Sequence, residues 1–480
     1  MADIFQNVIF LYASMLTIIY FMLIIYGYKE IKKYKENQSK EMDENFLKTP
    51  FAPGISIVAP AYNEEMTIID NVHSMLTLNY PKFEVVIVND GSKDSTLELL
   101  IENFELVETP FAYVEKIKTK PLKRILKSTN PAYSKLTVVD KVNGGTKADA
   151  SNAGINASSY PYFLCTDVDC ILSRDALIKM IKPILINKTQ VIGVGATLRM
   201  ANSCVIQNGV VTQVKVPNRI IPLFQEVEYL RSYLIGKMGW SRINAIGNIS
   251  GGLGMFDKSV VIAAGGYDPS SHAEDMDLTT RIIGYMCNFN KDYKIVQIPD
   301  TCCWTEGPPN IKILNRQRTR WARGLLQIFT VHRKYLFNPK YKQLGMITLP
   351  YTLFFEFSAP LIELIGYLYT IYLLITRGIN FYTASIMLTF VYLFGICLSL
   401  ITIYLDKLVQ EQYRTFNEYL KLCFFTLVEP FIYHPLIVFY SLKGYVDFLS
   451  RKKFEWGQMT RQGFAQNKTT PTAPENQEVE

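Results

Sequence analysis

Long apolar stretches flank one extended region of mixed composition. Residues 7–26 contain no charged residue, and apolar, aromatic-rich stretches return at 344–375, 381–405 and 419–447. A helix of ~20 apolar residues is long enough to cross the hydrocarbon core of a bilayer. The pattern predicts an N-terminal transmembrane helix within residues 1–28 and a C-terminal transmembrane region over residues 344–448.

The flanking charges predict how the chain is oriented in the membrane. A cleaved signal peptide is the alternative for the first stretch, but the stretch exceeds the usual ~7–15 residues and no Lys or Arg precedes it. Five lysines follow it: Lys29, Lys32, Lys33, Lys35 and Lys40. By the positive-inside tendency, the basic juxtamembrane linker, residues 29–53, and the region after it are cytosolic. We therefore expect a multi-pass protein of the cell (inner) membrane.

The number of C-terminal crossings stays open at this point. Three crossings would carry the basic residues 451–453 outside, against the positive-inside tendency. Either one stretch is re-entrant or the tail breaks the rule, and the last stretch, which contains Pro430 and Pro435, is the candidate for the irregular one. The tail, residues 449–480, begins basic and becomes polar, which predicts disorder.

Apolar runs alternate with helix-like segments in the first half of the mixed region. The runs lie at 55–59, 83–88, 136–140 and 162–166. Strands that alternate with helices predict an α/β fold with a parallel sheet, in which ligands lie beyond the carboxyl ends of the strands. Each run ends in polar residues, so we expect these side chains to share one edge of the sheet.

Asp167 and Asp169 follow the fourth apolar run directly. Two carboxylates at a strand end can hold Mg²⁺ or Mn²⁺ and leave coordination positions for diphosphate oxygens. Such an ion would stabilise a departing diphosphate as a Lewis acid. The alternative is an ordinary turn, but the convergence of four strand ends favours the metal site.

Asp90 and Lys147 follow the second and third runs. Asp90 could form a hairpin turn, but the apolar residues 85–88 and the helix-like segment that follows favour a carboxylate that binds ribose or pyrimidine. Lys147 follows two glycines and begins a predicted helix, so it could approach phosphate oxygens beside that helix N-terminus. An exposed lysine is the alternative.

A glycine-rich segment, residues 247–254, precedes the acidic pair Glu274–Asp275. Glycines permit close approach of the backbone to a ligand. Asp275 is the best candidate for a general base. A transfer with inversion needs one carboxylate to take the proton of the accepting hydroxyl, opposite the departing diphosphate. Alternatively, the pair forms the acidic first turn of a helix.

Gln317, Arg320 and Trp321 lie in a segment rich in arginine and apolar residues. Trp and Arg can stack on a sugar or pair with a diphosphate. An amphipathic helix on the membrane surface also uses these residues, and both interpretations can hold. We expect residues 311–343 to be interfacial helices that follow a catalytic domain over residues 54–310.

The formal net charge of +7 is modest for 480 residues. Basic clusters beside the apolar stretches suit anionic lipid headgroups, so membrane lipids are expected partners. The pattern of basic residues does not indicate nucleic acid. The eight cysteines lack the paired spacing of a zinc site and fit a reducing compartment.

Together these motifs resemble the processive family 2 glycosyltransferases, which include cellulose, chitin, hyaluronan and poly-N-acetylglucosamine synthases. The matching segments are 60–64, 89–91, 147–152, 167–169, 274–275 and 317–321, in the family's order. The tail pattern of Trp456, Arg461 and Gly463 is most similar to poly-N-acetylglucosamine synthases. Two departures are Ala273, where Thr or Ser is usual, and Thr146, inserted before Lys147.

The resemblance implies a GT-A fold, that is, a Rossmann-like α/β domain with a mostly parallel sheet, and an inverting mechanism. It implies transfer from a UDP-sugar, UDP-GlcNAc or UDP-glucose, to a growing β-linked polysaccharide. The residues implied to bind the nucleotide sugar are Pro60, Tyr62, Glu64, Asp90, Lys147 and Asp167. Those implied to hold the diphosphate or acceptor are Glu274, Gln317, Arg320 and Trp321, with Asp167 and Asp169 on the metal and Asp275 as base.

Two other functions compete with this one. The first is transfer of a single sugar to a lipid acceptor, which the Gln-x-x-Arg-Trp motif and the membrane helices disfavour. The second is a catalytically inactive secretion or scaffold subunit, which the retained carboxylates disfavour. Secretion or regulatory subunits stay open as partners, and no motif identifies the sugar.

Overall fold

A computed structural model describes residues 2–39, 51–207, 209–410 and 412–452. Part of the predicted linker and the tail pattern around Trp456 lie outside these residues. The strands are β1 Ile55–Ala61, β2 Phe83–Asn89, β3 Leu106–Glu108, β4 Leu122–Ser128, β5 Leu136–Lys141, β6 Tyr162–Thr166, β7 Ile171–Leu172, β8 Val191–Met200, β9 Val205–Gln207, β10 Val210–Gln213, β11 Leu253–Asp257 and β12 Lys294–Thr305.

The helices begin with one long apolar helix and end with three. They are α1 Ala2–Ser39, α2 Ile68–Leu76, α3 Thr96–Asn103, α4 Lys147–Ala157, α5 Ala176–Ile186, α6 Ile220–Arg231, α7 Met238–Arg242, α8 Lys258–Ala263, α9 Glu274–Asn288, α10 Ile311–Val331, α11 Leu349–Tyr351, α12 Ala359–Ile375, α13 Phe381–Val409 and α14 Phe416–Leu449. A π-helical segment, Ser232–Lys237, joins α6 to α7.

A ten-stranded sheet organises the central region in the order β3-β4-β5-β2-β1-β6-β11-β8-β12-β7. The four strands β5, β2, β1 and β6 are mutually parallel, and these are the four apolar runs predicted from the sequence. Nearly all of their apolar residues are buried between flanking helices, which explains why the runs lack the alternation of a half-exposed strand.

The other half of the sheet makes it mixed. β11 pairs antiparallel with both β6 and β8, whereas β8 pairs parallel with β12. β11 brings the glycine-rich segment 247–254 to the carboxyl end of β6. The edge of the sheet therefore collects residues from both halves of the chain. This mixed α/β architecture is the expected GT-A fold.

Within the described residues, four helical segments are long and apolar enough to cross a membrane: Asn7–Asn37, Leu344–Ile375, Phe381–Val409 and Phe416–Leu449. The expectation that Pro430 and Pro435 interrupt the last stretch is wrong, because α14 runs continuously through both. The helical irregularity lies earlier, in the π-helical segments Leu344–Thr348 and Thr352–Phe357.

Candidate functional site

Gly251 connects the candidate base to a candidate metal ligand. Its backbone N–H donates to Asp275 Oδ2 at 3.1 Å, and its carbonyl oxygen accepts a hydrogen bond from Lys147 Nζ at 2.6 Å. Lys147 also forms an ion pair with Asp167. Three strand-end or helix-start residues, far apart in the chain, therefore meet around one glycine of the predicted glycine-rich segment.

Asp167 and Asp169 form a cluster with Cys170, since one ligand atom from each residue lies within 4.8 Å of the others. The Asp167 side chain is 36% exposed, so the cluster opens to solvent on one side. A Cβ added at Gly252 would lie 3.0 Å from Leu198 Cδ2 and 3.7 Å from Asp167 Oδ2, so glycine lets this backbone pack closely beside the cluster. Two carboxylates in a cluster that opens to solvent fit Mg²⁺ or Mn²⁺.

Lys147 faces this cluster directly. Burial is the largest single influence and lowers the pKa of Lys147, but Asp167, Cys165 and Glu274 together outweigh it, so the net pKa is raised. The side chain is therefore a fixed positive charge beside the candidate metal ligand. Lys147 lies at the same sheet edge as the metal cluster, where it contacts the Asp167 carboxylate and the Gly251 carbonyl. Contact with a phosphate stays a prediction.

Asp90 lies at the carboxyl end of β2, where a buried lysine holds it. Lys141 Nζ lies 2.7 Å from Asp90 Oδ1 and 2.6 Å from Asp149 Oδ2, and its side chain is fully buried. The N–H of Gly144 also donates to Asp90 Oδ1, at 2.9 Å. Lys141 and Asp149 were not predicted as site residues, because their partnership depends on how β2, β5 and α4 pack.

Tyr62 and Glu64 follow β1 beside Asp90, whose N–H donates to the Ala61 carbonyl at 2.9 Å. The Tyr62 ring is exposed, whereas Pro60 pairs with Val88 within the sheet. An exposed aromatic ring beside a strand-end carboxylate is available to a flat base. These residues therefore share the sheet edge on which the nucleotide was expected.

The acidic pair begins α9, so the helix-start interpretation is confirmed, and the role of Asp275 as general base stays a prediction. Asp275 Oδ1 accepts from the Met276 N–H at 2.8 Å, which is a helix-start contact, while Oδ2 faces Gly251. Glu274 is buried, with Oε2 3.7 Å from Arg320 Nη1. Burial raises the pKa of Glu274; Arg320 opposes the rise and Asp275 adds to it. Asp275 is the more accessible carboxylate.

Helix α10 carries the Gln-x-x-Arg-Trp motif and packs directly on this loop. Arg320 Nη1 donates to the His272 carbonyl at 3.4 Å. A Cβ added at Gly324 would lie 2.5 Å from the Ala273 Cβ and 2.9 Å from its backbone nitrogen, so glycine is needed at position 324. Nothing in the structure explains alanine at position 273, where Thr or Ser was expected.

Most of the chain matches known protein families. Residues 56–203 match the description "Glycosyl transferase family 2" and residues 209–404 match "Glycosyl transferase family group 2". A poly-beta-1,6-N-acetyl-D-glucosamine synthase of Staphylococcus epidermidis is 29% identical over 334 residues, 69% of this chain and 67% of the relative. The synthase of Staphylococcus aureus (strain COL) is 28% identical over 324 residues, 67% of this chain and 65% of the relative.

Among solved structures, a mannosyltransferase from Pyrobaculum calidifontis, in complex with GDP-Man and Mn²⁺, is 18% identical. The match covers 91% of this chain and 100% of the mannosyltransferase, with a TM-score of 0.49. A likeness of this degree carries no argument about ligands or reaction.

Proposed function

The chain belongs to glycosyl transferase family 2, and on that premise we propose that it transfers N-acetylglucosamine from UDP-GlcNAc to a growing β-linked polysaccharide. The choice of this sugar and of a polymer product rests on the staphylococcal relatives, which are poly-N-acetylglucosamine synthases. The reaction is inverting and processive in this proposal, with the catalytic region at the cytosolic membrane face.

The link through Gly251 is the observation that carries the proposal. An inverting transfer needs a base on the acceptor side and positive charge on the diphosphate side of the same sugar. Asp275 and Lys147 hydrogen-bond to the N–H and carbonyl of one residue, so they are fixed relative to each other. A donor sugar held beside Gly251 would lie between them.

Each side chain then has a distinct task. Asp275 accepts the proton of the acceptor hydroxyl, and Asp90 binds the nucleoside. Asp167 and Asp169 would hold Mg²⁺ or Mn²⁺, which as a Lewis acid neutralises the charge on the leaving diphosphate. Arg320 is held by Glu274, and Trp321 lies on the same helix. Both residues are directed at the diphosphate and the acceptor sugar in this proposal.

For the membrane arrangement, we propose that α14 lies along the catalytic domain and does not cross the bilayer. Near its start, Lys421 Nζ donates to the Pro217 carbonyl at 2.8 Å. In its middle, Glu429 pairs with Arg231 at 2.7 Å. Just after its end, the Lys452 carbonyl accepts from Arg323 Nη2 at 2.7 Å. Contacts at both ends and the centre support a helix that stays on one side.

The helices α1, α12 and α13 would then each cross the bilayer once, which gives three crossings in the whole chain. In α12 only Pro360 is buried, and the buried residues of α13 lie in its second half, where Asp406 pairs with Arg199 of β8. The exposed apolar parts of α1, α12 and α13 project from the domain and would be covered by lipid. Three crossings keep the basic segment after α14 in the cytosol, in agreement with the positive-inside tendency.

The test is synthesis by the purified full chain in lipid nanodiscs with radiolabelled UDP-GlcNAc and, separately, UDP-glucose. We expect a high-molecular-weight product from UDP-GlcNAc and release of one UDP for each sugar added. A label that appears only in a lipid-extractable product of one sugar would favour the alternative, transfer to a lipid acceptor. Preference for UDP-glucose would overturn the choice of sugar and leave the reaction class intact.

A further inference from the structure

A buried arginine lies between two residues of the acceptor motif on α10. The Arg318 side chain is 6% exposed and donates to the two carboxylate oxygens of Glu228, at 2.6 and 2.5 Å. The Tyr433 hydroxyl accepts from Arg318 Nη2 at 2.9 Å and donates to Glu228 Oε2 at 2.8 Å. Three helices, α6, α10 and α14, therefore meet at one closed hydrogen-bond triangle.

The same guanidinium contacts the predicted acceptor tryptophan. The central carbon of the Arg318 guanidinium lies 4.4 Å from the centroid of the Trp321 ring, within the range of a cation–π contact. The two residues are three apart on α10, so they share one face of the helix. Glu228 binds the guanidinium in bidentate fashion, so the plane of the guanidinium is fixed. The fixed guanidinium in turn restricts the Trp321 indole that lies against it.

Neighbouring contacts hold α10 itself in place. One residue before Arg318, Gln317 accepts a hydrogen bond from Gln225 of α6 at 3.1 Å. On the other side, a Cβ added at Gly444 of α14 would lie 2.6 Å from both the Ala322 Cβ and the Thr319 carbonyl oxygen. The backbone of α10 is thus in close contact with α14, and the side chains of α6 reach the motif.

We propose that Glu228, Arg318 and Tyr433 form a positioning site that holds the Trp321 ring in the orientation that stacks on the acceptor sugar of the growing chain. The inference rests on the proposed function and assigns residues to its acceptor side. None of the three needs to touch the sugar. They order the Trp321 side chain before the chain end binds. Binding therefore does not have to overcome the entropy cost of ordering that ring.

This role predicts an effect on the acceptor and none on the donor. Ordering one mobile side chain on binding weakens affinity by about three- to tenfold. A chain end held that much more weakly dissociates more often between additions. We therefore expect shorter products, while the affinity for UDP and the KM for UDP-GlcNAc stay at wild-type values.

The test is Arg318→Lys in the full chain, assayed in nanodiscs with saturating UDP-GlcNAc. Lysine keeps a positive charge beside Glu228 but has no planar group to bind it in bidentate fashion or to stack on the indole. We expect mean product length to fall about three- to tenfold, with UDP affinity within twofold of wild type as the measure of an intact fold. Tyr433→Phe, which removes one hydroxyl, should give a smaller change in the same direction.

Arg231→Lys is the matched control, because Arg231 also joins α6 to α14 through a buried carboxylate, but its guanidinium donates to Glu429 and Ser399. It should leave product length unchanged. In a Trp321→Phe background, Arg318→Lys should have little further effect, since the residue acts through that ring.

Product of wild-type length from a stable Arg318→Lys protein would overturn the inference, as would equal shortening by Arg231→Lys. Failure of the wild-type chain to make polymer would instead overturn the proposed function, so the two failures are distinguishable.

Discussion

Replacing Lys141 by methionine should damage the nucleotide side of the site. The ammonium lies 2.7 Å from Asp90 and 2.6 Å from Asp149, and each carboxylate side chain is only 7% exposed. Methionine has a similar length but carries no charge, so the substitution leaves two carboxylates facing each other in a buried space. Neither can recover its lost partner from solvent without opening the loop after β5.

The expected loss of stability follows from the burial of this ion pair. Removing one partner of a buried ion pair costs about 3–5 kcal/mol, because the remaining charge is left uncompensated. This is a large part of the ~5–15 kcal/mol by which a domain is stable. Loss of the Asp90 orientation should also remove a charge-assisted hydrogen bond to the nucleoside, worth about 1.5–3 kcal/mol. UDP affinity should therefore fall by about ten- to a hundredfold.

The assay is calorimetric titration of UDP together with thermal unfolding of the purified protein. Lys123→Met is the matched control, because Lys123 pairs with Asp140 at 4.0 Å while its own side chain is 51% exposed. A pair with an exposed lysine at this distance is worth about 0–1 kcal/mol. Asp140 also keeps Arg124 at 3.2 Å, so this variant should bind UDP normally. Equal unfolding midpoints and equal UDP affinities for the two variants would refute the reasoning.

Three further predictions follow from the metal cluster, from α14 and from the α10 contact. Chelation should abolish transfer, Mg²⁺ or Mn²⁺ should restore it, and Asp169→Asn should raise the metal concentration needed for half-maximal activity; full activity in excess chelator would contradict this. In a chain without other cysteines, Ser450→Cys should react with a membrane-impermeant thiol reagent from the cytosolic side and Thr376→Cys from the opposite side. The reverse pattern, or both on one side, would refute the proposed topology. Gly444→Leu should lower the unfolding midpoint, since overpacking costs about 1–3 kcal/mol; an unchanged midpoint would show that α10 and α14 can separate freely.

The sequence predicted the elements whose signal is local. The four parallel strands are mostly apolar runs, and their polar ends carry the motifs, so both strands and sheet edge could be predicted. β8, β11 and β12 were not predicted. β11 lies partly within the glycine-rich segment, and β12 contains buried polar residues such as Gln297 and Asp300, which are tolerated only because of partners elsewhere in the fold.

Candidate site residues could be proposed from the sequence where the expected chemistry itself requires the residue type. Asp167, Asp169 and Asp275 are of this kind. Lys141 and Arg318 are different, because each looks like an ordinary surface cation in the sequence. Their partners lie 51 residues away (Asp90) and 90 residues away (Glu228), so the pairs exist only once strand register and helix packing are set. No local pattern distinguishes a buried lysine at a strand end from an exposed one.

The most direct test of the central claim compares Asp275→Asn with Asp90→Ala in the same preparation. Polymer-synthesis rate from UDP-GlcNAc and UDP affinity are measured on both. As a general base, Asp275 contributes roughly 10²–10⁴-fold, so Asp275→Asn should lower turnover by that factor while UDP affinity stays within a few-fold. Asp90→Ala should weaken UDP binding by about 1.5–3 kcal/mol. Near-normal turnover of Asp275→Asn would contradict the assignment of the base and move it to Glu274.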